Sequence, residues 1–357
     1  MSSDKIPDKM KAWQFTSTTP SMQACMHLNN EAPLPPTAKS LAPDTVLVKV
    51  IAAGLNPVDY KFAEIPILGP LIVGRPSTPA MDYAGRVIAT GPTTGKYAEA
   101  DLKPGQLVFG RLEGPSKYGT LAEYTVARRS GCVAIPAGVN PIDAVCATSV
   151  GLTAYWCIVH RLKSYPGKRV FLNGGSGGTG TFGIQIAKTL GCHVTTSCSS
   201  ANVDFCKGLG ADVVIDYTQS DVKAELRKME KFDLFIDNVG IPTDFYWVAP
   251  TFMNPNTHYI QVGAQAVTPM FILGNMFKAW WPSWLGGGKR PYEFMHIVNN
   301  VEDYTQIGRW LEEGKVKAIV DEVFGFDEKG PVKAYEKLRT ARARGKIVVL
   351  VDEKWDQ

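Results

Sequence analysis

The sequence of 357 residues has no long apolar run, no strong excess of charge and no closely spaced pair of cysteines. No stretch approaches the roughly 20 apolar residues that a membrane-spanning helix needs, and the first fifteen residues lack the apolar run of a secretory signal. The formal net charge is only +4, which argues against nucleic acid or an anionic membrane as the main partner. We therefore expect an ordinary soluble protein with neither a membrane span nor a nucleic-acid partner.

Cysteine and histidine are also too dispersed to form an obvious metal site. The seven cysteines are scattered, and none belongs to a C-x-x-C pair. This scatter is typical of a reducing compartment, so we expect a cytoplasmic protein that uses cysteine as a small apolar filler. The five histidines lie far apart, whereas zinc needs cysteine or histidine at workable spacing. The sequence predicts no metal.

What the sequence does contain is a glycine-rich turn within residues 168–191. A short apolar run predicts a strand before the turn, and apolar residues at helical spacing follow it. Gly175, Gly177 and Gly180 fit the G-x-G-x-x-G pattern. The first glycine permits a tight turn, the second lets the backbone approach a pyrophosphate, and the third lets helix and strand pack closely. The amide-rich N-terminus of the helix would then face the anion.

Further apolar runs follow this turn and alternate with helical segments. Together with the first run they give five strand candidates, which predicts a parallel, doubly wound α/β sheet covered on both faces. The four later candidates are Cys192–Cys198, Ala211–Tyr217, Phe232–Gly240 and His258–Ala264.

The first 145 residues have a different texture. From Met10 to about Val145, short apolar runs alternate with proline and glycine turns, which indicates small antiparallel β-structure rather than repeated strand–helix units. The chain is long enough for two domains, each with its own core. We expect a compact β-rich domain before the nucleotide-binding one.

Several phrases occur in an order that resembles the medium-chain dehydrogenase/reductase superfamily over nearly the whole chain. They are VLVKVIAAGLNPVDYK, PAMDYAGRVIATG, LKPGQLVFG, YGTLAEYTVA, SVGLTAYW and then the glycine turn. The N-P-x-D of Asn56–Asp59 and the G-L-T-A of Gly151–Ala154 resemble its zinc-free quinone oxidoreductase and enoyl reductase branch. Residues 285–294 and 345–352 resemble a subgroup that includes the chloroplast envelope quinone oxidoreductase homologue and related fungal reductases.

This resemblance implies a GroES-like catalytic domain made from both ends of the chain, with a Rossmann NADP(H)-binding domain inserted between them. The expected boundaries are 1–145 for the first part of the catalytic domain, 146–295 for the nucleotide domain and 296–357 for the return to the catalytic domain. Ile347–Val351 should therefore rejoin the first domain. The resemblance also implies a possible homodimer.

The resemblance makes the absence of zinc more specific. The alcohol dehydrogenases of the superfamily have a zinc-ligating cysteine where Asn56 stands, and a glycine-histidine-glutamate where Met81–Tyr83 stand. Their structural zinc needs four closely spaced cysteines after residue 90, but residues 91–131 contain none. Without a Lewis acid, the electrophile must be activated in another way.

The chemistry consistent with this pattern is hydride transfer from a reduced nicotinamide to the activated C=C of an α,β-unsaturated carbonyl compound, or to a quinone. The β-carbon of such a compound is already electrophilic, so donors that stabilise the developing enolate oxygen suffice. Asn56 is a candidate donor, although asparagine before Pro57 is also favoured simply by the turn. The resemblance implies that Thr153 lies by the nicotinamide, and the alternative is a helix residue that bonds back to a carbonyl one turn earlier.

A proton must also reach the α-carbon. Tyr60 is a candidate acid, although a tyrosine beside a turn is more often simply packed there. Tyr83, Tyr259 and bulk water are alternatives. Asp59 is expected to cap or brace the loop rather than to titrate in catalysis.

The end of the second strand favours NADPH over NADH. A carboxylate there would bind the ribose 2′-hydroxyl, but none occurs after Cys198 until Asp204. The resemblance implies that Tyr217 reaches the 2′-phosphate. Ala201 and Asn202 stand where relatives often have arginine or lysine, so the strong charge-assisted contact is absent and discrimination against NADH should be modest.

We expect the cofactor to be bound by the glycine turn and by small or polar residues at the carboxyl ends of the strands. The candidates are Gly175, Ser176, Gly177, Gly178, Thr179, Gly180, Ser199, Ser200, Asn202, Tyr217, Asn238, Val239, Gly240, Val262, Gly263 and Ala264.

Three functions remain open on these residues. The first is an NADPH-dependent, zinc-free reductase of small apolar α,β-unsaturated carbonyl compounds or quinones. The second is a trans-acting enoyl reductase of a polyketide-type biosynthetic pathway, with a long apolar cleft. The third is a nucleotide-binding interaction protein with weak catalysis. The aromatic segment 265–294 has no regular strand pattern, and it fits a lid over the substrate, a subunit contact or a buried helix pair.

Overall fold

A computed structural model describes residues 6–97, 102–264 and 268–356. The chain divides into two compact units. Unit 1 comprises the described residues of 1–149, 298–313 and 318–357, and unit 2 those of 150–297 and 314–317. These limits differ by a few residues from the expected boundaries at 145 and 295, and residues 314–317 group with unit 2. Small parts of the expected first domain and of segment 265–294 lie outside the described residues, namely 1–5, 98–101 and 265–267.

The described strands are β1 (Lys9–Phe15), β2 (Met26–Pro33), β3 (Thr45–Gly54), β4 (Asp82–Thr90), β5 (Leu107–Arg111), β6 (Tyr124–Arg128), β7 (Cys132–Ala134), β8 (Arg169–Asn173), β9 (His193–Cys198), β10 (Val213–Asp216), β11 (Phe232–Asp237), β12 (Met253–Gln261), β13 (Tyr292–Phe294), β14 (Val320–Gly325) and β15 (Lys346–Leu350).

The described α-helices are α1 (Pro57–Ala63), α2 (Leu68–Val73), α3 (Pro141–Cys146), α4 (Ser149–Val159), α5 (Gly178–Thr189), α6 (Val203–Gly208), α7 (Val222–Arg227), α8 (Phe245–Val248), α9 (Pro269–Trp280), α10 (Val301–Glu312) and α11 (Gly330–Arg339). None of them is both long enough and apolar enough to cross a membrane.

Unit 1 is built around the long strand β3, whose sequence TVLVKVIAAG is almost entirely buried. It pairs antiparallel with β4, β6 and β15, and β5 and β7 extend the sheet beyond β4. β15 aligns Val349 with Ala53 of β3, so the chain returns to the first sheet as the resemblance implied. On its other side, β15 pairs in parallel with β14. The predicted β-rich domain is confirmed.

Unit 2 contains a six-stranded sheet in the order β10-β9-β8-β11-β12-β13. Every neighbouring pair is parallel, which is the doubly wound arrangement that the glycine turn predicts. Aromatic rings fill its core, and the rings of Phe235 and Tyr259 stack at 4.6 Å between centroids. The sixth strand, Tyr292–Phe294, was missed because a three-residue edge strand carries too little alternation to be recognised.

The described part of segment 265–294 contains one α-helix, α9, followed by a short 3-10 turn at Ser283–Leu285 and by strand β13, rather than a buried helix pair. Thr268 caps α9 by accepting a hydrogen bond from the amide of Phe271 at 3.1 Å. Much of the helix and of the following turn is exposed, including Met270 at 77% and Trp284 at 81%. The buried-pair interpretation is therefore wrong, because apolar composition alone does not distinguish a buried face from an exposed one.

Candidate active site

The glycines of the turn in unit 2 are needed for different reasons. A Cβ on Gly175 would lie 2.2 Å from Thr196 Oγ1, and a Cβ on Gly180 would lie 2.2 Å from the carbonyl oxygen of Gly174. These two glycines are therefore required by packing between strand and helix. A Cβ on Gly177 would meet no atom within 4 Å, so this glycine faces open space of the kind that a pyrophosphate needs.

Helix α5 begins immediately after this turn and provides backbone donors. Its hydrogen bonds start with the amide of Thr181, which donates to the carbonyl of Gly177 at 2.9 Å. The amides of Gly178, Thr179 and Gly180 precede that bond and have no carbonyl of the preceding turn to bind. Together with the partial positive charge at a helix N-terminus, these donors form a suitable anion site.

The structure brings together three predicted residues beside the second strand. Asn202 Nδ2 donates to Ser176 Oγ and to Ser199 Oγ, both at 3.3 Å. Its Oδ1 is buried without a hydrogen-bond partner among the described residues. A buried acceptor without a donor is costly unless a ligand or water satisfies it. Asn202 therefore has a free acceptor at the place where the sequence predicts the adenosine ribose.

A carboxylate that the sequence reasoning missed lies next to this group. Asp216 Oδ2 accepts a hydrogen bond from Ser200 Oγ at 2.5 Å, because β9 and β10 align Cys198 with Asp216. Bonds from Ser200 and Thr218 hold the pKa of Asp216 below its usual value. The sequence reasoning considered only the residues that follow Cys198 along the chain, so it left out this negative charge from the neighbouring strand. Only the parallel register of the two strands could have revealed it.

Tyr217 directly follows β10, and its side chain is 56% exposed. Its backbone amide donates to the carbonyl of Cys198 at 3.1 Å, which places the residue at the same edge of the sheet as Ser200. Its contact with a 2′-phosphate remains a prediction.

The end of β11 is organised by Asp237, which the sequence reasoning did not select. Oδ1 accepts from Asn173 Nδ2 and from the amide of Gly240, both at 2.8 Å, and Oδ2 accepts from the Tyr259 hydroxyl at 2.9 Å. The neighbouring Asn238 has both side-chain polar atoms buried without a partner among the described residues. An unsatisfied amide at this edge is complementary to another amide, such as the carboxamide of a nicotinamide.

At the end of β12, two backbone amides that were expected to reach the nicotinamide are already hydrogen-bonded within the protein. The amides of Val262 and Gly263 both donate to the carbonyl of Asp237, at 2.8 and 2.9 Å. They are therefore not available to a cofactor, and only carbonyl groups of this pair could contact one. A Cβ on Gly263 would lie 2.3 Å from the carbonyl oxygen of Asn238, so the small residue is needed for the close approach of the two strand ends. Val239 and Ala264 flank this point of contact.

Unit 1 contains a buried polar cluster around Asn56. Lys346 Nζ donates to Asn56 Oδ1 at 2.5 Å and to Asp82 Oδ2 at 2.8 Å. Asn56 Nδ2 donates to the same carboxylate at 2.8 Å, and Ser149 Oγ donates to its other oxygen at 2.5 Å. Burial alone would raise the pKa of Asp82, but Lys346, Asn56 and Ser149 together lower it. Asp82 is therefore an anion paired with a buried cation.

Asp59 braces the loop that carries Asn56. Its Oδ2 accepts from the amide of Asn56 at 2.8 Å and from the Tyr335 hydroxyl at 3.1 Å, which is the capping role that the sequence suggests. Its Oδ1 is buried without a partner in the part of the chain that the structure describes. Burial raises the pKa of Asp59 to about 7, so its charge changes near neutral pH.

Three tyrosines were considered as proton donors. The Tyr83 hydroxyl donates to a backbone carbonyl at 2.7 Å, and the Tyr259 hydroxyl donates to a buried carboxylate, so both are engaged in the core. Tyr60 on α1 lies under the guanidinium of Arg339, at 3.9 Å from the ring centroid. Burial raises the pKa of Tyr60, which makes it a weaker acid than an exposed tyrosine.

Thr153 is the remaining catalytic candidate. It lies inside α4 and is buried, at 4% exposure. It belongs to unit 2, whereas Asn56 and Tyr60 belong to unit 1. Its proximity to the nicotinamide stays a prediction.

The polar cluster of unit 1 does not fit a zinc ion. No group of three or more His, Cys, Asp or Glu side chains in the described residues could hold a metal. Asn56 and Asp82 stand where the zinc enzymes of the medium-chain dehydrogenase/reductase superfamily have zinc ligands. Both side chains already contact the ammonium of Lys346. A zinc ion placed between them would meet a fixed positive charge and an amide, which is a poor ligand for zinc.

Comparison with known proteins assigns both units. The profile described as "Alcohol dehydrogenase GroES-like domain" matches residues 42–137, and the profile described as "Zinc-binding dehydrogenase" matches residues 209–349. The chain is 69% identical over 351 residues to trans-enoyl reductase pgmF of Aspergillus terreus, covering 98% of this chain and 99% of that protein.

More distant proteins also match most of the chain. NAD(P)H oxidoreductase RTN4IP1, mitochondrial, of Danio rerio is 31% identical, over 87% of this chain and 84% of the relative. The solved quinone oxidoreductase of Coxiella burnetii is 24% identical and superposes with a TM-score of 0.78, covering 96% of this chain and 100% of that structure. At this identity the solved structure supports the fold alone.

Proposed function

Because the chain belongs to the medium-chain dehydrogenase/reductase superfamily, in its zinc-free reductase branch, and is an oxidoreductase, we propose that it is a trans-acting enoyl reductase. Its fold implies a nicotinamide cofactor. The proposed reaction reduces the C=C of an α,β-unsaturated thioester on a polyketide-type biosynthetic pathway, with NADPH as the donor.

The observation that carries this proposal is the 69% identity, over nearly both full lengths, to a protein named as a trans-enoyl reductase. From the sequence alone, a reductase of small enones or quinones was the first candidate and a trans-acting enoyl reductase the second. The similarity to pgmF reverses that order. Both functions use the same metal-free hydride chemistry. The sequence motifs therefore support the reaction type but do not distinguish the acceptor.

Unit 2 supplies the residues proposed to bind the cofactor. The space beside Gly177 and the amides at the start of α5 suit the pyrophosphate, and the free acceptor of Asn202 suits the adenosine ribose. The unsatisfied amide of Asn238 suits the nicotinamide carboxamide. The nicotinamide, when bound, supplies a hydride for the β-carbon of the acceptor.

Unit 1 supplies the residue proposed to polarise the acceptor. Hydride addition to the β-carbon moves negative charge to the carbonyl oxygen, and a fixed N–H donor stabilises that charge. Asn56 is the proposed donor, because Lys346 and Asp82 hold its amide. The α-carbon must then receive a proton, and Tyr60 and water are the candidate donors.

The residues around Ser200 bear on the choice between NADPH and NADH. Ser199, Ser200 and Tyr217 can bind a 2′-phosphate through their hydroxyl groups, but the carboxylate of Asp216 contacts Ser200. A negative charge at this edge disfavours a phosphate and favours a ribose hydroxyl. We therefore propose that NADPH is used and that NADH is accepted to a measurable extent.

The proposal is tested by following the consumption of NADPH with a panel of enoyl thioesters, simple enones and quinones. We expect the highest kcat/KM with enoyl thioesters of long apolar chains. Turnover of quinones or small enones with none of the thioesters would reject the proposed substrate class. Tight binding of NADPH without turnover of any acceptor would instead favour a nucleotide-binding interaction protein.

A further inference from the structure

Lys346 lies inside unit 1, between two side chains that are distant from it in the sequence. Its ammonium contacts Asn56 Oδ1 and Asp82 Oδ2, and the residue is only 2% exposed. A Cβ on Gly54 would lie 2.8 Å from Lys346 Cε, so the glycine leaves room for the lysine stem. A lysine this deeply buried is uncommon unless its charge is paired.

The two charged neighbours determine the orientation of the Asn56 amide. The carbonyl end faces the ammonium of Lys346, and the NH2 end faces the carboxylate of Asp82. Rotating the amide by half a turn would place N–H groups against a cation and an oxygen against an anion. Both contacts would become repulsive, so only one orientation is compatible with the cluster.

We infer that Lys346 is a positioning residue, which orients and polarises the Asn56 amide so that Asn56 offers an N–H to the substrate oxygen. The ammonium withdraws electron density from the amide oxygen, and hydrogen bonds linked in this way strengthen one another in a buried site. One N–H of Asn56 is used by Asp82, which leaves the second N–H as the donor. This inference rests on the proposed function, because it requires an acceptor oxygen that gains negative charge.

A purely structural role for Lys346 makes a different prediction. In that case the ion pair only fastens β15, which carries Lys346, to β4, which carries Asp82. Removing the lysine would then lower stability without acting through Asn56. The two roles are separated by asking whether the effect of Lys346 requires Asn56.

The first measurement needs no turnover. The side-chain amide of Asn56 is observed by NMR in the full-length protein labelled with 15N-asparagine, and its signals are assigned by their loss in Asn56→Ala. In Lys346→Met we expect these signals to shift and their hydrogen exchange to accelerate roughly tenfold or more. Lys49→Met is the matched control, because Lys49 pairs with Asp352 at 2.7 Å in the same unit and does not contact Asn56. It should leave the Asn56 signals unchanged.

The second measurement is a double-mutant cycle on kcat, using the acceptor that the wild type reduces best. Lys346→Met should lower kcat roughly 10- to 100-fold in the wild type, because a misplaced catalytic group loses that much. In the Asn56→Ala background the same change should lower kcat less than about twofold. NADPH affinity, measured by fluorescence, should remain unchanged in all four proteins.

Lys346→Met leaves Asp82 buried without its cation, which can prevent folding. The variant Lys346→Met with Asp82→Asn removes both charges, and its Asn56 signals should differ from those of Asp82→Asn alone, because Asp82 also contacts the Asn56 amide. Unchanged Asn56 signals in both variants, or an equal loss of kcat with and without Asn56, would overturn the inference. If quinones replace thioesters as the acceptor, the proposed substrate class fails while the cycle still tests Lys346. If nothing is reduced, the NMR result alone decides.

Discussion

Asp59 is a buried carboxyl group whose surroundings determine its charge. Burial raises its pKa from 3.8 to about 7, so the folded protein holds this proton more tightly than the unfolded chain does. The stabilisation is therefore fully present below about pH 4 and is lost as the pH rises through 7. Asp59→Asn lacks this proton, and its stability relative to the wild type should rise between pH 4 and 8 by roughly 2 to 4 kcal/mol.

The measurement is urea unfolding followed by circular dichroism at several pH values for both proteins. Asparagine can still accept the hydrogen bonds from Asn56 and Tyr335, so the variant should keep the fold. Stability curves that run parallel across this pH range would contradict the assignment.

Asp216 places a negative charge beside the proposed 2′-phosphate site through its contact with Ser200. Asp216→Asn removes that charge and keeps a side chain of the same shape. We expect the affinity for NADPH to rise roughly three- to tenfold relative to that for NADH, because one nearby unit charge is removed. Fluorescence titration with both cofactors measures the ratio.

Asp204→Asn is the control for Asp216, since Asp204 is an exposed acid on the nearby helix α6. It should leave the ratio of the two affinities unchanged. An equal gain for NADPH and NADH in Asp216→Asn would remove Asp216 from the 2′-phosphate site.

The sequence predicted individual residues unevenly, for a physical reason. Asn56, Ser176 and Asn202 became candidates because each lies within or next to a local motif. Asp216 was missed because only strand register brings it to Ser200, and Lys346 was missed because it lies 290 positions from Asn56. A local pattern contains no information about partners that the fold brings from distant segments.

At the scale of elements, the glycine turn contains one glycine proposed to be needed for cofactor binding and another needed for folding. Gly177→Val should fold normally, because a Cβ there meets no atom within 4 Å, and it should weaken NADPH binding roughly 100-fold or more by filling the pyrophosphate space. Calorimetric titration with NADPH measures the loss. Unchanged affinity would show that the pyrophosphate binds elsewhere.

Gly180→Val is the matched control, and we expect it to lower stability rather than to block cofactor binding alone. A Cβ there would lie 2.2 Å from the carbonyl oxygen of Gly174, so the strand and the helix must separate. We expect a lower melting temperature, with a loss of roughly 1 to 3 kcal/mol of stability, measured by thermal denaturation without cofactor. Equal melting temperatures for the two variants would contradict the division of tasks.

The sequence predicted most elements of the fold correctly because their patterns are strong. The five predicted strands of the parallel sheet correspond to β8 through β12. The edge strand β13 and the exposure of α9 were not predicted. Both depend on what packs against a segment, which its own composition does not specify.

For the whole molecule, β15 is the element on which the folding of unit 1 is expected to depend. It lies between β14 and β3 in the sheet of unit 1 and buries Ile347, Val348 and Val349. Ending the chain after Arg344 should remove about 6 kcal/mol of apolar burial, at roughly 2 kcal/mol for each of these side chains. This is comparable to the stability of a typical domain, so unit 1 should not fold.

Limited proteolysis with mass spectrometry measures this loss in each unit separately. Fragments of unit 1 should appear rapidly, while residues 150–297 resist digestion. A chain that ends after Glu353 keeps β15 and should resist digestion throughout. Resistance of unit 1 in the shorter chain would show that β15 is dispensable.

The position of β15 also has a consequence during protein synthesis. The ribosome translates residues 150–297 of unit 2 before it reaches Lys346, whereas the buried polar cluster around Asn56 includes that lysine. The nascent chain can therefore assemble its cofactor-binding sheet while the polar centre of the other unit is still incomplete. A premature stop codon shortly before codon 346 would leave a polypeptide that retains the dinucleotide fold but lacks the lysine that orients Asn56.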